Sequence, residues 1–199
     1  MNQQRKKLDA DLLTHDEIQR LLKMCSKRAP TGRRNAALIA IMWRSALRVG
    51  EALALMPKDV DLQELRVVVQ RGKGGKRRVV GIDLGTALIM DKWMASRKKL
   101  GINNRAPMFC TLKGSPLDQS YIRHLLPRLA AKAGIEKRVH AHGFRHRAAV
   151  DLVKEGADLL TVRDVLGHSS AATSQVYLSR IGASDAVAFA SARSWAFTA

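Results

Sequence analysis

Cysteine is scarce in this sequence. Cys25 and Cys110 stand far apart with no CxxC partner, which argues against a disulfide framework and a cysteine-built zinc site and leaves reduced, buried thiols as the expectation. Acidic residues are also few, 17 Asp and Glu against 35 Lys and Arg, for a formal net charge of +18. So large a surplus repels itself in a folded domain and calls for a polyanionic partner. Long hydrophobic runs are missing: the longest, "AALIAIMW" at 36 to 43, falls far short of a membrane span, and the opening "MNQQRKKLDADLL" has no apolar signal core. No membrane role is expected, the setting reads as cytoplasmic, and nucleic acid becomes the favoured partner. Proline (5) and glycine (14) are too sparse for a disordered chain, and hydrophobic residues reach 46%, as in a globular domain with a sizeable core. No internal repeat, low-complexity segment or interdomain linker interrupts the sequence.

The periodicities give a mainly α fold with one small antiparallel β-sheet. "LTHDEIQRLLKMC" pairs Thr14 with Glu17 in a capping-box pattern and sets Ile18, Leu21, Leu22 and Cys25 on one helical face. "RRNAALIAIMWRSALRVGEALAL" holds two helical stretches, the first apolar enough for the core, with a break expected near Val49 and Gly50 and a stop at Pro57. "LRVVVQ" and "RRVVGID", joined by "RGKGGK", read as a two-stranded hairpin with a cationic tip. Helical spacing returns in "LGTALIMDKWMASRKKLG", "DQSYIRHLLPRLAAKAG", "FRHRAAVDLVKEG", "DLLTVRDVLG", "SAATSQVYLS" and "SDAVAFASARSW". Gly134, Gly156 and Gly167 fall where helix C-caps belong.

Four segments join a charged or titratable group to a structural break: "SALRVGEAL" with Arg48, "RGKGGK" with Lys73 and Lys76, "HAHGFRHR" with His140, His142, Arg145 and His146, and "LGHSSAATSQVY" with His168 and Tyr177. Each has a plain alternative. Arg48 can simply pair with Glu51 three residues on, the glycine-rich turn can be a solvated hairpin tip, the histidines could in principle ligate a metal, and Tyr177 can be a half-buried core residue. Together they have a chemical meaning. Two guanidinium groups can grip the non-bridging oxygens of one phosphodiester and stabilise a pentacoordinate transition state without a metal. A phenol oxygen can attack phosphorus if its proton is drawn off by a histidine or nearby cations, and a lysine can protonate the departing sugar oxygen. "RGKGGK" lacks the spacing and the Ser/Thr of a nucleotide-binding P-loop, so neither nucleotide cofactor nor metal is expected.

In order and approximate spacing, "LRVGEALAL", the "GKGGK" hairpin, "HGFRH" and "LGHSSAATSQVY" resemble the motifs of the tyrosine recombinase (phage integrase) family, over residues 12 to 182 or so. The resemblance implies the catalytic-domain fold of that family and a site-specific DNA recombinase working through a 3′-phosphotyrosyl intermediate. It implies that Arg48 and Arg145 bind the scissile phosphate with Glu51 in support. Lys73 would be the general acid, with Lys76 as fallback. His142 would assist proton transfer at the nucleophile, His168 would hydrogen-bond the phosphate, Tyr177 would attack, and His146 would play a supporting part.

The expected organisation is a basic segment over 1–11, a catalytic domain over 12–182, and a tail helix over 183–199 whose apolar face (Ala186, Phe189, Ala190, Trp195) suits either its own core or a neighbouring subunit. Double-stranded DNA is the implied partner, with a monomer in solution, a homo-tetramer on DNA and accessory DNA-bending proteins, in a bacterial or phage setting. The family usually carries a separate clamp domain before the catalytic one, so the expectation here is either a single-domain member or a truncated or degenerate copy. Gly50 and the Gly143-Phe144 pair depart from the common motif residues without touching a reacting group. Competing readings are a DNA-binding architectural or regulatory protein without activity, a type IB topoisomerase-like enzyme, and a metal-dependent nuclease built on His140, His142 and His146.

Overall fold

The computed structural model describes residues 12–70 and 77–167. Helix α1 (His15–Lys23) begins at the expected capping box: the Glu17 N–H donates to Thr14 Oγ1 at 3.1 Å and the Thr14 N–H donates to the Glu17 carboxylate at 2.7 Å. Ile18 and Leu21 are buried on its inner face, and Cys25 follows beyond the helix end.

Helix α2 (Pro30–Arg44) is the centre of the domain. Ala37 to Met42 are each 0 or 1% exposed, the all-round burial expected of a helix without a polar face. Its approach to the preceding loop requires Gly32, where a Cβ would lie 2.2 Å from the Ser26 carbonyl oxygen. Helix α2 packs chiefly against α4 (Leu84–Lys99) and α6 (Ala141–Lys154). Trp93 of α4 is fully buried, and its indole N–H donates to the Met108 carbonyl at 2.8 Å. A network around the buried Asp151 carboxylate, reached by His15 (2.9 Å), Trp43 (3.1 Å) and Arg147 (2.6 Å), ties α1, α2 and α6 together.

Two expectations need correction. The chain breaks not at Val49 and Gly50 but at Ala46, whose φ is +52°, and Val49 already opens the short helix α3 (Val49–Leu53). The β element has three strands rather than two. After a 3₁₀ turn at Pro57–Asp59, β1 (Val60–Asp61) pairs antiparallel with β2 (Arg66–Val69), which pairs with β3 (Arg78–Gly81). Val60 faces Val67, and Val67 faces Val80, so these valines form the buried side of the sheet. A two-residue edge strand carries too little pattern to register in the sequence.

Helix α5 (Gln119–Lys132) accommodates Pro127 within its length and is capped by Asp118. Helix α7 (Leu159–Leu166) is capped by Asp158. Gly134, Gly156 and Gly167 take positive φ at the helix ends as expected. Part of the positive charge is structural. Arg34 and Arg97, each 3% exposed, spend their guanidinium groups inside the protein. Arg34 reaches the Cys110 carbonyl at 3.0 Å and the Tyr121 hydroxyl at 2.5 Å, and Arg97 reaches the Pro107 and Met108 carbonyls at 2.6 and 3.0 Å. Among the described residues no helix is long and apolar enough to cross a membrane.

Candidate active site

The site is built around the turn at Ser45 to Arg48. Helix α2 ends there because Ala46 takes the left-handed conformation, which costs a non-glycine residue about 1 kcal/mol and persists only where tertiary contacts hold it. The contact that holds it comes from α6. Arg145, 1% exposed, donates from Nη1 to the Ala46 carbonyl at 2.6 Å and from Nη2 to the Leu166 carbonyl at the end of α7. One guanidinium therefore joins the turn that leads to Arg48 with the helix end that leads to His168. Ser45 fixes the same turn from the other side, its hydroxyl donating to the Gly81 carbonyl of β3 at 3.1 Å.

Arg48 stands at the N-cap of α3, and the i+3 pairing with Glu51 is present. The Arg48 backbone N–H donates to Glu51 Oε2 at 2.9 Å, and Nη1 donates to Oε1 at 2.9 Å. The Arg48 side chain is still 30% exposed while that of Glu51 is 6% exposed. Glu51 has a second cation that the sequence did not reveal: Arg78 of β3 grips both carboxylate oxygens, at 2.9 and 2.8 Å. Burial by itself would raise the Glu51 pKa, but the Arg78 fork and the Arg48 N–H outweigh it and hold the carboxyl at about 2, against an ordinary 4.5. The carboxylate is ionised at neutral pH, and with two guanidinium groups the trio keeps one net positive charge.

His142 occupies the first turn of α6, three residues before Arg145, with an exposed edge. Crowding by the protein lowers its pKa, and the positive charges of Arg145, His140 and Arg48 lower it further. The imidazole is thus neutral near pH 7, the state able to take a proton. Its ring meets that of His146 edge to face, with centroids 4.1 Å apart. Arg48 and Arg145 both stand near enough for their charge to act on the His142 ring. The adjoining cleft, lined among others by Val49, Gln119, Arg123, Arg138 and His140, adds cationic side chains to its rim.

Of the residues singled out in the sequence, Arg48, Glu51, His142, Arg145 and His146 are therefore brought to one region. Lys73, Lys76, His168 and Tyr177, together with the tail over 183–199, lie outside the described residues. Among the described residues no cluster of three or more His, Cys, Asp or Glu side chains is placed to hold a metal ion. Arg78 was the residue missed. Its only sequence signal is an arginine at the start of an apolar strand with no acid nearby, which local periodicity does not separate from a solvated edge.

Residues 11–181 match the model of the phage integrase family, and the chain belongs to that family. Among its relatives, the tyrosine recombinase XerC of Thermodesulfovibrio yellowstonii is 31% identical over 170 residues, spanning 83% of this chain and 56% of that protein. The crystal structure of XerA recombinase superposes with a TM-score of 0.78 at 28% identity, covering 92% of this chain and 66% of that one. The XerH site-specific recombinase, solved on palindromic difH substrate as a post-cleavage complex, gives a TM-score of 0.73 at 30% identity, covering 91% of this chain and 52% of that one. The chain thus spans little more than half the length of the curated relatives it matches.

Proposed function

We propose that this chain is the catalytic unit of a site-specific DNA recombinase that cuts and rejoins DNA without metal or ATP. Residues 12–182 form the catalytic domain, and 183–199 form a tail able to dock on a neighbouring subunit. Arg48 and Arg145 bind the non-bridging oxygens of the scissile phosphate, and His168 adds a hydrogen bond. His142, neutral at working pH, accepts the proton of the Tyr177 phenol as its oxygen bonds to phosphorus. The bond from phosphorus to O5′ breaks, and Lys73 Nζ gives that oxygen a proton, with Lys76 as the alternative donor. The product is a 3′-phosphotyrosyl link and a free 5′-hydroxyl. Because the link conserves the phosphodiester, attack by another 5′-hydroxyl reseals the strand, in a tetramer holding two duplexes. Glu51 and His146 support the two arginine motifs.

The observation that carries this reading is the double hydrogen bond of Arg145 to Ala46 and Leu166, which gathers the Arg48 turn, the His142 helix and the approach to His168 around one point. The XerH complex, on DNA after cleavage, supports the same chemistry here. To test it, the protein is incubated with a pool of nicked suicide duplexes of randomised sequence, and covalent adducts are read on a denaturing gel. An adduct that survives chelator and disappears in Tyr177→Phe is expected. No adduct would instead support a DNA-binding protein without activity, one lost with chelator a metal-dependent nuclease, and relaxation of plasmids lacking any specific site a topoisomerase.

A further inference from the structure

We propose that Arg78 is a positioning residue of the cleavage reaction, acting through Glu51 on Arg48 and through the Val165 carbonyl on the end of α7. The inference deepens the recombinase reading and rests on it. An ionised carboxylate offers about four lone-pair sites, and Glu51 meets four N–H donors: the backbone N–H and Nη1 of Arg48, and Nη1 and Nη2 of Arg78, all at 2.8 to 2.9 Å. Those contacts fix Arg48 at both its backbone and its side chain.

The same Arg78 guanidinium donates from Nε to the Val165 carbonyl at 3.2 Å. The next carbonyl, that of Leu166, is taken by Arg145. Successive carbonyls in the last turn of α7 are therefore held by arginines from two elements, β3 and α6, and His168 follows two residues later. Gly167 completes the joint: a Cβ there would come within 2.9 to 3.0 Å of Nη1, Cζ and Nε of Arg78, so the guanidinium lies flat against the glycine backbone.

Charge gives Arg78 a second role. Arg48 and Glu51 alone form a neutral pair, in which the carboxylate offsets the charge meant for the phosphate. With Arg78, whose side chain is 11% exposed, the trio carries one net positive charge in a partly desolvated place, where it acts strongly on a phosphorus gaining negative charge. Lysine is no substitute. Its ammonium can oppose Glu51 but cannot span two carboxylate oxygens and a carbonyl in one plane.

The decisive variant is Arg78→Lys, with Arg78→Met beside it. Three quantities are measured on a nicked suicide duplex that the wild type cleaves: the single-turnover rate of adduct formation at saturating DNA, the DNA dissociation constant, and the melting temperature. Misplacement of Arg48 is expected to slow adduct formation in Arg78→Lys by about tenfold or more, while affinity and melting temperature stay close to wild type because the charge opposite Glu51 is kept. A rate within about threefold of wild type overturns the inference, as does a loss of rate that merely follows a loss of affinity or of melting temperature. Should Arg78→Met not fold, Arg78→Lys alone decides. A wild type that forms no adduct on any duplex refutes the recombinase chemistry itself, and this inference falls with it.

Discussion

Glu51 is the group whose removal tests the electrostatics of the site most directly. Its carboxyl is held at about 2 in the folded protein, against an ordinary 4.5. A group whose folded pKa is depressed stabilises the fold above the unfolded pKa and loses that contribution as pH falls toward the folded value. The shift is worth about 3 kcal/mol at neutral pH, an order-of-magnitude figure. The loss therefore begins near the ordinary 4.5 and is complete only below about 2. Between about pH 5.5 and pH 3.5 the contribution falls by roughly 1.3 kcal/mol.

Other carboxylates also titrate in that window, so the readout is a difference. Urea unfolding of the wild type and of Glu51→Gln is measured at each pH, and the gap in unfolding free energy is followed. Glutamine keeps the size of the side chain but titrates no proton. The advantage of the wild type should shrink by roughly 1.3 kcal/mol on going down through the window. A gap that stays constant from about pH 5.5 to pH 3.5 would refute the claim that the two arginines hold this carboxyl ionised. Because Arg78 supplies the leading hydrogen bonds, the same gap should also flatten in an Arg78→Met background.

Gly167→Ala meets two obstacles, since φ is +58° and the new methyl would press on the Arg78 guanidinium. It should lower stability by about 1 to 2 kcal/mol and slow adduct formation, and a melting temperature equal to wild type would count against the packed joint. The depressed pKa of His142 keeps the neutral imidazole present at lower pH than usual. The acid limb of the cleavage profile should accordingly lie below the ordinary 6.5 and be absent in His142→Gln, whose rate is reduced throughout. A limb at or above that value would argue against His142 as the base. Binding to random duplex DNA should weaken log-linearly with salt, and a flat response would remove DNA as the partner.

What the sequence determined by itself was whatever adjacent residues decide. Thr14 and Glu17 start α1 because both arms of a capping box lie within one turn. The unbroken apolar stretch from Ala37 to Met42 makes α2 the core helix, and Gly134, Gly156 and Gly167 stop helices because glycine alone enters the left-handed region without strain. The order of the four motifs points to the family and to Arg48, Glu51, Lys73, Lys76, His142, Arg145, His146, His168 and Tyr177 as one group, of which Arg48, Glu51, His142, Arg145 and His146 lie among the described residues. Tertiary structure decided the rest. The break at Ala46 is set by an arginine 99 residues away, the grip of Arg78 on Glu51 spans 27 residues and its bond to Val165 spans 87, and β1 exists because Val60 finds Val67 across a turn. Likewise nothing local marks Arg34 and Arg97 as buried rather than as part of the exposed positive charge. Local order follows from steric and hydrogen-bonding preferences within about one helical turn. The partner of a long cationic side chain is chosen only when packing brings distant carbonyls and carboxylates within reach.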